Sequence, residues 1–216
     1  MSTDTTTTDD TDSTQDMRRN PSKRVFASEL NDAVYQFKLS DDDRAPVWTA
    51  LPTGESANRV FIAGTATLTE ETGNGSMMRA RINDGTDGGN FYVYGGEYNP
   101  NVESLIRQLE TPAYVAAVGK INVYNRDDGD AMVSVRPEQM VEISKEQRRE
   151  WIVETAEATF LRADRFEERV GDEQAMTNDM EIAADEYGDT IEQYREAARE
   201  ALRAVAGEEP SDAPTP

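Results

Sequence analysis

Two pairs of alternating residues in the middle of the chain, Arg79 with Arg81 and Tyr92 with Tyr94, combine positive charge with aromatic rings. Alternate side chains of an extended strand point to the same face, so the members of each pair would lie side by side. Guanidinium groups bind phosphates, and aromatic rings stack on nucleobases. The chemistry to expect from these residues is therefore noncovalent binding of a polyanion that carries planar rings.

The chain contains no histidine and no cysteine, which excludes imidazole bases, thiolate nucleophiles and the usual zinc sites. Asp127, Asp128 and Asp130 around Gly129 suggest a calcium loop, but the terminal glutamate of the twelve-residue pattern is missing. We interpret them as a solvated turn. The glycines between residues 85 and 96 lack the Lys-Ser/Thr of a phosphate-binding loop. We expect no enzymatic activity, no metal and no cofactor.

Five strands bounded by Gly, Asn and Asp clusters would position the Arg and Tyr residues. They span residues 59–70, 77–83, 90–94, 114–124 and 131–141. Residues 101–109, between the third and fourth strands, carry apolar side chains at helical spacing, and Pro112 follows them. The order β-β-β-α-β-β predicts a five-stranded OB-fold barrel over residues 58–143, a fold that binds oligonucleotides or oligosaccharides. An SH3-like small barrel is the alternative.

Alternation sorts the strand residues into an inward and an outward set. The inward set is apolar and comprises Val60, Ile62, Leu68, Met78, Ala80, Ile82, Phe91, Val93, Val115, Ala117, Ile121, Val123, Val133 and Val135. The outward set is basic or aromatic and contains no acid. From it, and from one loop residue, we predict a nucleic-acid-binding surface of Arg59, Phe61, Arg79, Arg81, Tyr92, Tyr94, Lys120, Tyr124, Arg126 and Arg136. Alternatively, Tyr and Arg simply suit exposed strands, and this face, which also includes Tyr114, is covered by residues 17–57 or by a partner.

The net charge of −21 lies mainly outside the predicted barrel. Residues 58–126 carry seven acids and six bases, whereas residues 1–16 carry five acids and no base, and residues 144–216 carry twenty acids and nine bases. Only four of the 22 basic residues are lysine. High acidity of this kind is a property of proteins from salt-loving organisms, so it does not exclude a nucleic-acid partner. No apolar run could span a membrane, and no signal peptide is recognisable, so we expect a cytoplasmic protein.

The flanks of the predicted barrel differ in character. Residues 1–16 form a Thr/Asp leader and residues 207–216 a tail, and we expect both to be disordered. Residues 17–57 are an ordered extension with a short helix at 24–30 and a strand at 33–39. Residues 144–206 form two amphipathic helices, the first of which begins with a capping box of Ser144 and Gln147.

The second of these helices carries an apolar seam at alternating spacings of four and three. Six seam residues are predicted to bind a partner subunit: Tyr187, Ile191, Tyr194, Ala198, Ala201 and Val205. In the alternative, the two helices pair with each other and dock on the barrel, because neither is apolar enough to be stable alone.

Several short segments of the chain resemble the archaeal replication protein A-associated proteins, which are OB-fold subunits encoded beside single-strand DNA-binding subunits in salt-loving archaea. The segments are 24–33 (RVFASELNDA), 51–55 (LPTGE), 58–61 (NRVF), 91–98 (FYVYGGEY), 112–120 (PAYVAAVGK) and 133–138 (VSVRPE). The resemblance spans residues 24–153. It implies an accessory subunit that binds a larger single-stranded DNA (ssDNA)-binding replication protein A polypeptide in replication, repair or recombination. A subunit that binds only the partner protein, without contacting ssDNA, remains the alternative.

Overall fold

The structure is a computed structural model, and it describes residues 20–207 except 74, 76, 126–128, 130, 173 and 189. The predicted leader and residues 208–216 of the predicted tail lie outside the described residues, as does Arg126. In chain order the elements are β1 (Lys23–Arg24), α1 (Ala27–Asp32), β2 (Gln36–Lys38), β3 (Val47–Ala50), β4 (Ser56–Ala57), β5 (Arg59–Thr72), β6 (Met77–Asn83), β7 (Asn90–Gly96), α2 (Pro100–Gln108), β8 (Ala113–Asn125), β9 (Ala131–Glu142), α3 (Lys145–Arg169), α4 (Asn178–Tyr187) and α5 (Ile191–Ala206).

Five of these strands close into a barrel. They lie in the order β5, β6, β7, β9, β8, and β8 pairs back with β5. Neighbouring strands are antiparallel, except that β7 and β9 run parallel where Val93 meets Val135. Helix α2 connects β7 to β8, and β1 adds a sixth strand beside the start of β5. This topology is that of the OB-fold, so the predicted fold class is confirmed.

Inward side chains fill the barrel as predicted, with one clear exception. Leu68 was assigned to the core, but it is 38% exposed. A β-bulge between Ala66 and Leu68 inserts one extra residue, which turns every later side chain of β5 to the opposite face. Leu68 therefore lies opposite Arg81, and Glu70 lies opposite Arg79, on the outer face of the barrel. Val123 is also only partly buried, at the end of the core.

Residues 20–57 pack against the barrel as part of the same core. Val25, Phe26 and Leu30 are buried with the barrel residues. The predicted strand at 33–39 is β2, which forms a small antiparallel sheet with β3 and β4. Ala27 N–H donates to the buried carboxylate of Asp84 at 2.6 Å, in the turn between β6 and β7. Burial raises the pKa of Asp84, and this bond to the backbone N–H partly offsets that effect.

The C-terminal helices dock on the barrel. The predicted capping box is present, since Gln147 N–H donates to Ser144 Oγ (3.2 Å) and Ser144 N–H donates to Gln147 Oε1 (2.9 Å). In α3, the indole N–H of Trp151 donates to Phe61 O at 3.1 Å, which fixes the helix to β5. The predicted second helix is in fact two, because Gly188 ends α4 with a φ of 63°, a conformation that suits glycine.

A buried ion pair joins the N-terminal extension to α3. Arg162 donates to Glu29 Oε2 at 2.7 Å and to Thr53 Oγ1 at 2.8 Å, and Thr53 in turn donates to Glu29. A third bond runs from Arg162 to the backbone oxygen of Arg24 at 3.1 Å. Both charged groups are nearly inaccessible to water, so each depends on the other for compensation.

Candidate nucleic-acid interface

The outer face of β6 and β7 carries two basic side chains directly opposite two aromatic ones. Arg79 pairs with Tyr94, and Arg81 pairs with Tyr92, in the antiparallel register of the two strands. All four positions are half-buried, and their inward neighbours Ala80, Ile82 and Val93 lie in the core. These four residues therefore share one outer face, as the alternation in the sequence predicted.

Two adjoining depressions lie on this face and share Tyr124 at their common border. The smaller, of about 320 Å³, is lined by Leu68, Arg79, Arg81, Tyr92, Tyr124 and Met132. The larger, of about 530 Å³, lies beside it, and its lining includes Met77, Tyr94, Tyr98, Asn122, Ser134 and Arg136. The structure therefore brings six of the ten predicted residues to one continuous surface: Arg79, Arg81, Tyr92, Tyr94, Tyr124 and Arg136.

The sequence analysis missed several residues that line this surface. Asn122 and Ser134 alternate with Tyr124 and Arg136 on β8 and β9, so the same period of two could have found them. Tyr98 follows β7 and is 91% exposed, so its large ring is accessible beside the larger depression that it lines. Leu68 lines the smaller depression only because of the bulge in β5, for which the sequence carries no such periodic signal.

Arg79 is partly neutralised by its neighbours. It forms an ion pair with Glu70, and its guanidinium lies 5.7 Å from the centre of the Tyr92 ring. A hydrogen bond with Tyr94, and then the contact with Glu70, raise the pKa of Arg79 above its ordinary value. The prediction of an acid-free face is therefore wrong at this point, because the bulge places a carboxylate beside the arginine.

Arg81 is the more available of the two arginines. Its Nε donates to Thr67 Oγ1 at 3.1 Å, and no carboxylate among the described residues forms an ion pair with it. Arg81 lines the smaller depression together with Tyr92. Arg81 and Tyr92 together offer a positive charge for a phosphate and a ring for a base within one depression.

A second group of bases crosses three neighbouring strands. Arg59 lies opposite Lys120, and Lys120 lies opposite Arg136, on β5, β8 and β9. Like charges directly opposite one another destabilise a sheet. The positive charge of Arg59 is offset by Glu138, to which Arg59 donates two hydrogen bonds of 2.8 Å, and this hydrogen bonding raises the pKa of Arg59. Lys120 and Arg136 are exposed, and neither forms an ion pair within the described part of the chain.

Three known structures illustrate the likeness of this chain to solved OB-fold proteins. An OBody bound to hen egg-white lysozyme is 14% identical, with 58% of this chain and 92% of that chain covered and a TM-score of 0.41. The S. pombe Stn1-ten1 complex is 12% identical, with 62% of this chain and 82% of that chain covered and a TM-score of 0.39. Rim1, a mitochondrial single-stranded DNA binding protein from S. cerevisiae, is 15% identical, with 40% of this chain and 94% of that chain covered and a TM-score of 0.32. No protein-family model and no curated protein matches the chain.

Phe61 and Arg59 lie away from the two depressions, although both point outward. The barrel surface curves, so side chains at the start of β5 face a different direction from those of β6 and β7. The centre of the Phe61 ring lies 4.7 Å from the guanidinium carbon of Arg24, and Phe61 borders the groove between α3 and the barrel. Tyr114 lies opposite Thr65, and the guanidinium carbon of Arg148 in α3 lies 5.5 Å from the centre of its ring. Residues 20–57 and α3 thus cover this part of the predicted face.

The seam predicted to bind a partner is occupied within the chain. Ile191, Tyr194, Ala198, Ala201 and Val205 are all buried, and α5 packs on α3 and α1. Tyr194 donates its hydroxyl proton to Asp32 at 2.9 Å. Tyr187, which is half-buried on α4, donates to Ala50 O and accepts from Tyr35 N–H, each at 3.0 Å. The seam therefore offers no free surface, and the helices follow the alternative in which they dock on the barrel.

The described residues hold neither a cluster of metal ligands nor a membrane-spanning helix. No group of three or more acidic side chains there is arranged to hold a metal ion. The acids interpreted as a solvated turn, Asp127, Asp128 and Asp130, lie outside the described residues. No described helix is long and apolar enough to cross a membrane.

Proposed function

We propose that this chain is an accessory OB-fold subunit of a replication protein A-like complex, and that ssDNA lies across its β6–β7 face and the neighbouring parts of β8 and β9. The observation that carries the proposal is the placement of Arg81 and Tyr92 in one depression, with Tyr124 at the border to the next. Successive depressions lined by rings and cations suit a chain of stacked bases with charged phosphates between them. The proposal implies no catalysis.

The identity of the complex rests on the sequence segments that resemble the archaeal replication protein A-associated proteins. Segment 91–98 supplies Tyr92, Tyr94 and Tyr98, and segment 133–138 supplies Ser134 and Arg136, so resemblance and candidate site coincide. The same resemblance, together with the excess of acids over lysines, favours the cytoplasm of a salt-loving archaeon. The role would be in replication, repair or recombination.

Titration of the purified protein with a fluorescent oligothymidylate at several salt concentrations tests direct contact with ssDNA. Each phosphate contact lowers the slope of log affinity against log salt by about 0.7 for single strands. Arg81→Ala should weaken binding and make the slope shallower by roughly 0.7, because one unpaired cation is removed. Arg203→Ala is the matched control, since Arg203 is an exposed arginine of α5 that pairs with Glu196.

A subunit that binds only protein is the second candidate, and two ion pairs favour it. Glu70 on Arg79 and Glu138 on Arg59 reduce the positive charge that would attract phosphates. In that case the oligothymidylate would bind with no salt-dependent slope or not at all, while the ssDNA-binding partner would still be stabilised. An Arg81→Ala variant with the same salt slope as the wild type would favour this second function.

A further inference from the structure

The small sheet of β2, β3 and β4 has an open edge at β2. The described strands lie in the order β2, β3, β4, so one side of β2 has no neighbour among them. Phe37 lies opposite Trp48, and Ala50 N–H donates to Tyr35 O at 3.0 Å. Backbone groups alternate in direction along an antiparallel strand, so those of Gln36 and Lys38 point to the open side. An open edge of this kind can accept another strand.

One face of this sheet is lined with large apolar side chains. Tyr35, Phe37 and Leu39 follow each other at every second residue, and Trp48 lies directly opposite Phe37. The Tyr35 and Phe37 rings are 6.3 Å apart, and Leu39 is 71% exposed. A strand added at the edge of β2 would place alternate side chains beside this stripe and cover it.

Acidic residues lie at both ends of β2. Asp41, Asp42 and Asp43 follow it and are exposed. Asp32 precedes it, and Glu186 adjoins Tyr187, whose hydroxyl accepts the Tyr35 N–H. The bases close by are Lys38, whose ammonium bonds to the Asp43 backbone oxygen at 3.2 Å, and the exposed Arg44. The excess of carboxylates repels phosphates and attracts a cationic segment.

A second copy of this chain fits the edge poorly. If two β2 strands paired antiparallel about Phe37, Asp41, Asp42 and Asp43 of each copy would lie toward Asp32, the last residue of α1, in the other copy. Like charges brought close together repel each other, so a strand of different charge is favoured.

We propose that β2 accepts an extended segment of a partner protein as an additional strand. That segment has apolar side chains over Tyr35, Phe37 and Leu39, and basic side chains next to the acids at each end. The inference deepens the proposed function, because it names the surface by which the accessory subunit joins its partner, on a sheet separate from the proposed ssDNA surface.

A short peptide with alternating Val and Thr, flanked at each end by two lysines, is the probe. Binding to the full chain is measured by Trp fluorescence and by amide hydrogen exchange. We expect protection of the Gln36 and Lys38 amides, and at least several-fold weaker binding of a matched peptide with Glu in place of Lys. Asp41→Asn/Asp42→Asn/Asp43→Asn should weaken binding of the lysine peptide and reduce the difference between the two peptides.

Lys38→Pro tests strand addition directly. Proline removes an N–H that points to the open edge, while the N–H of Phe37 toward β3 is retained. We expect roughly tenfold weaker peptide binding for Lys38→Pro than for Lys38→Gln, which removes only the charge. If Lys38→Pro does not fold, the amide-exchange result on the wild type decides. Affinity for oligothymidylate should be the same in both variants, so loss of ssDNA binding and loss of peptide binding are separate outcomes.

Three results would overturn the inference. The first is binding of the lysine peptide without protection of the Gln36 and Lys38 amides, and the second is equal binding of the lysine and glutamate peptides. The third is concentration-dependent protection of these amides without peptide, which would assign the edge to a second copy. Failure of oligothymidylate to bind would instead remove the ssDNA contact and leave the β2 edge as the assembly surface.

Discussion

The β6–β7 face and the α5 seam were both predicted from periodicity as binding surfaces, but only the first is accessible in the structure. The outer face of β6 and β7 remains accessible, with Arg81 and Tyr92 in an open depression. Seam residues such as Tyr194 and Ala198 lie in the chain's own interior. Periodicity states which residues share a face, but it does not state what covers that face. Charge distinguishes the two: the exposed face carries arginines beside its tyrosines, whereas the six seam residues are two tyrosines and four aliphatic residues with no charge among them.

The largest expected effect is on stability, at the seam. Tyr194→Ala removes a large side chain that is 2% exposed and leaves a cavity, so it should cost about 3–5 kcal/mol of unfolding free energy. Urea unfolding measures it. Leu161→Ala, at an exposed position of α3, is the control and should change stability by less than about 0.5 kcal/mol. A cost for Tyr194→Ala as small as that of the control would mean that the seam is not part of the core.

The next effect is on binding, at the β6–β7 face. Tyr92→Ala should weaken oligothymidylate binding by about 1–3 kcal/mol, the usual contribution of one stacked base. Unfolding free energy should change much less than in Tyr194→Ala, because Tyr92 is only half-buried. Tyr35→Ala provides an aromatic control on the small sheet and should leave the oligothymidylate affinity unchanged. Equal losses from both tyrosines would show that the effect is not local to the proposed surface.

The smallest expected effect is a gain in affinity for oligothymidylate. Glu70→Gln removes the carboxylate paired with Arg79, so that guanidinium becomes available to a phosphate. We expect oligothymidylate binding to strengthen by a few-fold at low salt, with a slope steeper by roughly 0.7. The control is Glu71→Gln, since Glu71 pairs with Arg107 instead. A gain from both variants would reflect only the change in net charge, and a gain from neither would mean that Arg79 does not contact the phosphates.

Much of the fold could be predicted because local signals were strong. Alternating strands, the helix before Pro112 and the Ser144–Gln147 capping box all correspond to observed elements. The errors in the predicted faces and helix boundaries come from single-residue features, which a periodic pattern over many residues does not reveal. The bulge before Leu68 turned the later side chains of β5 to the opposite face and brought Glu70 beside Arg79. Gly188 divided one predicted helix into two.

The candidate site was harder to predict, because it depends on curvature and on covering segments. Arg59 and Phe61 belong to the outward set by alternation, yet the curvature of the barrel and the docking of α3 separate them from Arg81. Such long-range coverage is decided by contacts between residues far apart in sequence. The pairing of Arg162 with Glu29 and the bond between Trp151 and Phe61 are examples, and neither has a local signal.

The bonds of Asp84 and Arg162 with the N-terminal extension determine the smallest unit that can fold. A chain shortened to begin at residue 58 would retain every barrel strand, but Asp84 would lose its bond from Ala27, and Arg162 would lose Glu29 and Thr53. Apolar residues of the barrel and α3 that pack against the extension, such as Trp151 against Phe26, would also be exposed to water, at a cost of several kcal/mol, about 1.5–3 kcal/mol for each large side chain. The barrel is recognisable as a module in the sequence, yet we expect it to need both flanks in order to fold, so transplanting it would require them.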